Sequence, residues 1–250
     1  IEHSSVYNTC MQLKEIFGYE VDFISVDEHG YLNLKELEDC IREDTILISV
    51  MYVNNEIGVI NPIREIYDII QKKNAKIKLH VDMVQALGKI PIDLSFVDLA
   101  SFSAHKIYGL KGSGVLFKKE STTLIPLVNG GQQEKGLRGG TSNTATHTMF
   151  AKTLRLALEN IDEKYKHVAM LNQYVRNELE KEDCVVINTP KEDVSPYILN
   201  FSCVGYKPEV ILHALEAKEC YVSTKSTCSS HKNDVSRTLS AMKLSQNVAQ

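Results

Sequence analysis

Two hydrophobic periodicities alternate along the first half of the chain. From Ser4 to Phe17 the apolar positions Val6, Cys10, Leu13, Ile16 and Phe17 recur at helical spacing, and Gly18 follows as a helix stop. Val21 to Val26 is short and β-rich, and the Asp27–Gly30 stretch after it reads as a turn. Asn33 is placed to cap a helix running to Ile41, with Leu34, Leu37 and Ile41 on one face. Ile46 to Val53 is a nearly unbroken apolar run of strand length, the pattern of a parallel strand buried on both sides. Pro62 then opens a helix at its favoured first position, with Ile63, Ile66, Tyr67 and Ile70 as the buried stripe. Three more strands are predicted at Ile77–Val81, Val97–Phe102 and Gly114–Lys118. Strands alternating with helices imply crossover connections and a mostly parallel sheet flanked by helices, the α/β class. Ligands of such sheets bind beyond the carboxyl ends of the strands. The loops starting at Asn54, Asp82 and Ser103 are therefore the places to look for a site.

The second half changes character. Thr144 to Lys181 is helical with a break near Asp162. Strands are predicted at Cys184–Asn188, Tyr197–Ser202 and Tyr221–Thr224, with a helix over Pro208–Lys218 between the last two. This pattern predicts a large domain over residues 1–160 and a smaller α+β domain over 161–250.

Composition removes several classes of function. The chain has 250 residues, and a net charge of −4 supplies no electrostatic case for direct nucleic-acid binding. No apolar run approaches the roughly 20 residues of a membrane helix, and the start does not read as a signal peptide. The six cysteines contain no C-x-x-C pair, which argues against a metal site, and the absence of an export signal argues against disulfides. A cytoplasmic setting is expected.

Chemistry concentrates at two strand ends. HVDMVQALGK sets Asp82 just beyond one strand, and SFSAHKIYGLKGSG sets Ser103, His105 and Lys106 just beyond another. A pyridoxal phosphate enzyme needs such a set: a lysine for the Schiff base, a carboxylate to keep the pyridine nitrogen protonated, and small donors for the phosphate. These two segments, with MYVNNEIGVINPI upstream and GGQQEKGLRGGT downstream, closely resemble the NifS/IscS-type cysteine desulfurases over essentially the whole chain.

The resemblance implies the fold-type I architecture of pyridoxal phosphate enzymes and a homodimer. It makes Lys106 the Schiff-base lysine and Asp82 the partner of the pyridinium nitrogen. Gln85 and Asn55 would sit near the phenolic oxygen, Ser103 and His105 would bind the phosphate, and Thr141 would reach the phosphate of a neighbouring subunit. His3, in IEHSSV, matches a histidine that stacks on the pyridine ring and handles protons. Arg138, in GLRGGT, is a candidate active-site neighbour, whereas His80 is expected to pack along its strand.

Cys228, in STKSTCSSHK, matches the sulfur-accepting cysteine of that family, with Lys225 and Thr227 standing where the usual pattern has Gly and Ala. A thiol needs activation to be a thiolate at neutral pH, and Lys225, His231 and Lys232 are the nearby cations. The implied reaction takes L-cysteine to L-alanine and passes sulfur, as a persulfide on Cys228, to a cluster scaffold or a tRNA-thiolation enzyme. The family's first phosphate loop would precede Ile1 and its substrate-carboxylate arginine would follow Gln250, so truncation at both ends is expected. Two rivals stand beside this reading: a related selenocysteine or β-lyase in which Cys228 is dispensable, and a non-catalytic interaction subunit of the same fold.

Overall fold

The structure is a computed structural model that describes residues 1–224, 236–245 and 248. A four-stranded sheet is built from β1 (Leu47–Met51), β2 (Lys78–Asp82), β3 (Leu99–Ser103) and β4 (Gly114–Lys118), in that spatial order. β1 pairs with β2 and β2 with β3 in parallel, whereas β4 returns antiparallel beside β3. The parallel pairs require crossovers. The first is α3 (Ile63–Asn74) and the second is the turn segment after Asp82. Two helices precede the sheet, α1 (Ser4–Glu15) and α2 (Leu34–Cys40), the latter capped by the Asn33 side chain accepting from Glu36 N–H. Two long helices follow it, α4 (Thr144–Leu158) and α5 (Ile161–Leu179), broken at Glu159–Asn160 with Asn160 in a left-handed conformation. A separate antiparallel pair, β5 (Val185–Ile187) and β6 (Phe201–Cys203), precedes α6 (Pro208–Glu216) and α7 (Arg237–Ala241).

Strand alternation divides the sheet into two unlike faces. Leu79 and Val81 of β2, Val50 of β1 and Ala100 of β3 lie on one face, and Ile63, Ile66 and Ile70 of α3 cover it as one apolar cluster. The spacing of those three isoleucines is the helical stripe seen in the sequence, and Ile66 is wholly excluded from solvent. On the other face Met51, Asp82 and Ser101 form one register row, Ser49, His80 and Leu99 form the row before it, and Ser103 lies one step beyond. One face is core and the other is chemistry.

Three expectations need correction. The run Ile46–Val53 is not a strand buried on both sides: β1 covers Leu47–Met51 at the edge of this sheet, and Leu47 is 46% exposed. With a single neighbouring strand among the described residues, β1 is enclosed mainly in its carboxyl half. Val21–Val26 forms no strand, and its contribution is a lone bridge from Val26 to Leu32. Tyr221–Thr224 is likewise not a strand. Among the described residues neither segment has a ladder to join, and β-propensity without a partner does not make a strand. No helix among the described residues is long and apolar enough to cross a membrane.

Candidate active site

Three strand ends deliver side chains to one cavity of about 680 Å³. After β1 the chain enters a loop that Asn54 holds rigid: its Oδ1 accepts from the N–H groups of Glu56 (2.8 Å) and Ile57 (2.9 Å). Asn61 donates to Met51 O at 2.7 Å from the far side of the loop. With its neighbour so engaged, Asn55 is turned to the cavity wall.

β2 ends in Asp82, which is 5% exposed and lines the cavity. Its Oδ1 accepts from Val84 N–H at 3.0 Å, and Tyr52 N–H donates to its backbone carbonyl at 2.9 Å. Among the described residues Asp82 has no ion-pair partner within 4 Å. A buried carboxylate held by one N–H is poised for a cation in the cavity. The turn that follows brings Gln85 to the same wall.

β3 ends in Ser103 and passes into a 3-10 turn, Ala104–Ile107, that carries His105 and Lys106. Gly109 N–H closes the turn on Ala104 O at 2.9 Å, and Tyr108 takes a left-handed conformation to allow it. Partial burial lowers the basicity of His105, and Lys106 and Lys111 push it the same way. His3 comes from the start of α1, where its Nδ1 accepts from Ser5 N–H at 3.2 Å. A backbone N–H can only donate, so that contact selects the tautomer with its proton on Nε2.

His3, Asn55, Asp82, Gln85, Ser103, His105 and Lys106 thus line one cavity. Thr141 and Arg138 do not line it: Thr141 is exposed on the loop before α4, and Arg138 donates to Gly139 O. Cys228 lies outside the described residues, as do Lys225, His231 and Lys232. Thr224 and Ser236, the described residues flanking that segment, both line the cavity. A second cavity of about 580 Å³ near α3 collects none of the candidate residues.

Three residues matter more here than the sequence reading allowed. Glu2 accepts from Met51 N–H at 2.7 Å through Oε1, while its buried Oε2 has no partner among the described residues. Burial, together with the nearby Asp82 charge, raises its pKa to about 7, against the opposing pull of the Met51 N–H and Arg237. Lys89 donates to Gln85 Oε1 at 2.7 Å, and burial followed by Lys106 lowers it to about 8. His80 does pack along its strand as expected, and it also bridges three strands, bonding Ser49 Oγ at 2.8 Å and Ser101 Oγ at 2.9 Å. Glu2 and Lys89 both fall inside segments that carry the family resemblance, but only burial reveals their state.

The fold and the site define an α/β scaffold in which a buried carboxylate and a lysine, from neighbouring strand ends, line one cavity. The aminotransferase class-V family model matches residues 1–248, and the chain belongs to that family. It is 42% identical over 253 residues to a NifS/IcsS protein homolog of Lactobacillus delbrueckii subsp. bulgaricus, covering 100% of this chain and 65% of the relative. It is 39% identical over 245 residues to cysteine desulfurase IscS of Dictyoglomus turgidum, covering 97% of this chain and 61% of that one. A solved NifS-like protein superposes with a TM-score of 0.91 at 36% identity, covering all of this chain and 66% of that structure. The structure of SspA in complex with cysteine does so at 0.81 and 30%, covering all of this chain and 69% of that one. The chain therefore spans less than two thirds of the length of these curated relatives.

Proposed function

We propose that this chain carries the cofactor-binding core and the sulfur-accepting cysteine of a pyridoxal phosphate-dependent cysteine desulfurase. The observation that supports it most is the meeting of Lys106, Asp82, Gln85, Asn55, Ser103, His105 and His3 around one cavity. The buried, unpaired Asp82 fits a pyridinium cation, so the residues present suit the cofactor. When bound, pyridoxal phosphate supplies an electron sink that lowers the barrier to breaking bonds at the substrate α-carbon.

The chain's own groups would then act as follows. Asp82 holds the ring nitrogen protonated, while Ser103 and His105 hold the phosphate, with Thr141 reaching that of a second subunit. Asn55 and Gln85 face the ring oxygen. Lys106 Nζ would anchor the cofactor, and its amine would serve as the base for the substrate α-proton. His3 carries a proton on Nε2 and exchanges it with the reacting group. The Cys228 thiolate attacks the substrate sulfur; an S–S bond forms as the carbon–sulfur bond breaks, and the carbon side leaves as L-alanine after protonation. The net change is balanced: thiol plus L-cysteine gives persulfide plus L-alanine. An acceptor, either a cluster scaffold or a tRNA-thiolation enzyme, then takes the outer sulfur.

Mass spectrometry after incubation with pyridoxal phosphate and L-cysteine tests the reading. A persulfide adduct of about 32 Da on Cys228 is expected, with alanine released. Alanine release without an adduct, or full desulfuration by a Cys228→Ser variant, would remove Cys228 from the mechanism. No protein-bound absorbance after pyridoxal phosphate is added and the free cofactor removed would sink the cofactor assignment.

A further inference from the structure

We propose that Lys89 is a positioning residue that fixes the side-chain amide of Gln85, turning the Nε2 donor toward an anionic oxygen of the bound cofactor. The ligand's identity rests on the function proposed above; the Lys89–Gln85 contact does not.

The geometry begins with a hydrogen bond whose direction chemistry decides. Lys89 Nζ lies 2.7 Å from Gln85 Oε1. An ammonium has only donors, so the amide atom facing it must be the oxygen, and the amide is locked in one of its two orientations. Gln85 is buried and lines the cavity, so its NH2 group is the end left to meet a ligand. An NH2 group stabilises a phenolate oxygen, whereas an amide carbonyl turned the other way would repel it.

A close backbone contact holds Lys89 in place. Gly88 has φ +68°, and a Cβ there would sit 2.8 Å from Ala157 Cβ and 3.1 Å from Ile107 Cγ2. Only glycine lets this turn press against Ile107, which ends the 3-10 turn carrying Lys106. The turn with Lys89 and the turn with Lys106 are therefore packed as a unit. Lys89 is half-buried there with no carboxylate partner among the described residues, and its basicity falls to about 8, through burial first and Lys106 second. An unpaired, partly buried ammonium costs stability. What it obtains in this position is the hold on Gln85.

Two arms test the inference. The first measures pyridoxal phosphate affinity and the pH midpoint of its visible absorbance in the wild-type chain and in Lys89→Met, Lys89→Arg, Gln85→Leu and the double variant. Lys89→Met should weaken binding about tenfold and move the midpoint up by roughly one pH unit, as expected on losing a hydrogen bond to a charged oxygen. Lys89→Arg, which keeps the donor, should restore most of both. In the Gln85→Leu background the Lys89→Met change should have no further effect. An equal loss in that background would mean that Lys89 acts directly on the ligand and would overturn the proposal.

The second arm needs no cofactor. In protein labelled with 15N-glutamine, the Gln85 side-chain amide signal should inflect near pH 8 as Lys89 titrates, and the inflection should vanish in Lys89→Met. A Gln85 signal that ignores Lys89 overturns the contact. If the wild-type chain takes up no pyridoxal phosphate while this inflection is present, the cofactor assignment is what fails.

Discussion

Replacing Glu2 with glutamine should flatten part of the pH dependence of this chain's stability. The Glu2 carboxyl sits among Met51, Asp82 and Arg237, with Oε2 buried and without a partner among the described residues, and burial raises it from 4.5 to about 7. The native state therefore keeps the proton over a range where the unfolded chain has lost it. That contribution to stability is complete below about 4.5, is lost as pH rises through about 7, and does not change further above that. Each tenfold step corresponds to about 1.4 kcal/mol, so ionised Glu2 opposes folding at pH 8 by up to roughly 3 kcal/mol. Glutamine keeps an oxygen for the Met51 N–H and cannot ionise, so it removes this penalty.

The assay is urea denaturation of wild type and Glu2→Gln at several values between about pH 5 and pH 8. Near pH 5 the two should be close. By pH 8 the variant should be the more stable, by about 2–3 kcal/mol. Parallel stability profiles across the range would refute the argument, because a carboxyl that ionises equally in both states cannot be the buried, desolvated group described here.

Further predictions follow from the same packing. Asp82→Asn should lower the Glu2 titration midpoint, since the Asp82 charge helps to raise it, and should weaken pyridoxal phosphate binding; carboxyl NMR titration and absorbance check the two effects. Gly88→Ala should destabilise by roughly 1–3 kcal/mol, because the left-handed backbone and the 2.8 Å approach to Ala157 leave no space; denaturation measures it, and reduced cofactor uptake should accompany it as the Lys106 turn shifts. Ile66→Ala, at a fully buried position of α3, should cost about 2–5 kcal/mol in the same assay while leaving the absorbance of the bound cofactor unchanged. His80 is made less basic by burial, so its contribution holds above 6.5 and is lost as pH falls through its lower native value; His80→Asn should show a smaller acid-side loss of stability.

Much of this arrangement was legible in hydrophobic periodicity, because α3 and β2 each have a face that must be covered. The stripe Ile63, Ile66 and Ile70 and the alternation Leu79, His80, Val81, Asp82 name both partners of one interface. Asp82, Ser103, His105 and Lys106 were legible for a related reason: each ends or follows a recognisable strand, and parallel strands gather their ends. Val21–Val26 and Tyr221–Thr224 have strand-like residues too, yet a strand is a property of a pair, and pairing depends on residues distant in sequence. The same limit hid Glu2 and Lys89. Glu2 is set by Met51, 49 positions away, and Lys89 by a turn built around Lys106. Their charge state is decided by burial, which no local pattern encodes.

The division of the sheet into an apolar face and a polar face explains why these perturbed groups cluster. Hydroxyls and an imidazole lie beside and beneath Asp82, with Ser49, His80 and Ser101 hydrogen-bonded across three strands. That ladder satisfies the buried polar groups without adding a net charge, so nothing beneath Asp82 neutralises its carboxylate. Glu2, close enough to Asp82 to feel its charge, has a raised carboxyl, and Lys89, bonded to Gln85, has a lowered amine. Both shifts move the group toward its neutral form. Lys89, lowered only to about 8, stays mostly an ammonium at neutral pH, as its donation to Gln85 requires, whereas Glu2, raised to about 7, is close to half protonated there. Below about pH 7 Glu2 is mostly neutral, so a cation entering the cavity meets the Asp82 side chain with little competition from Glu2.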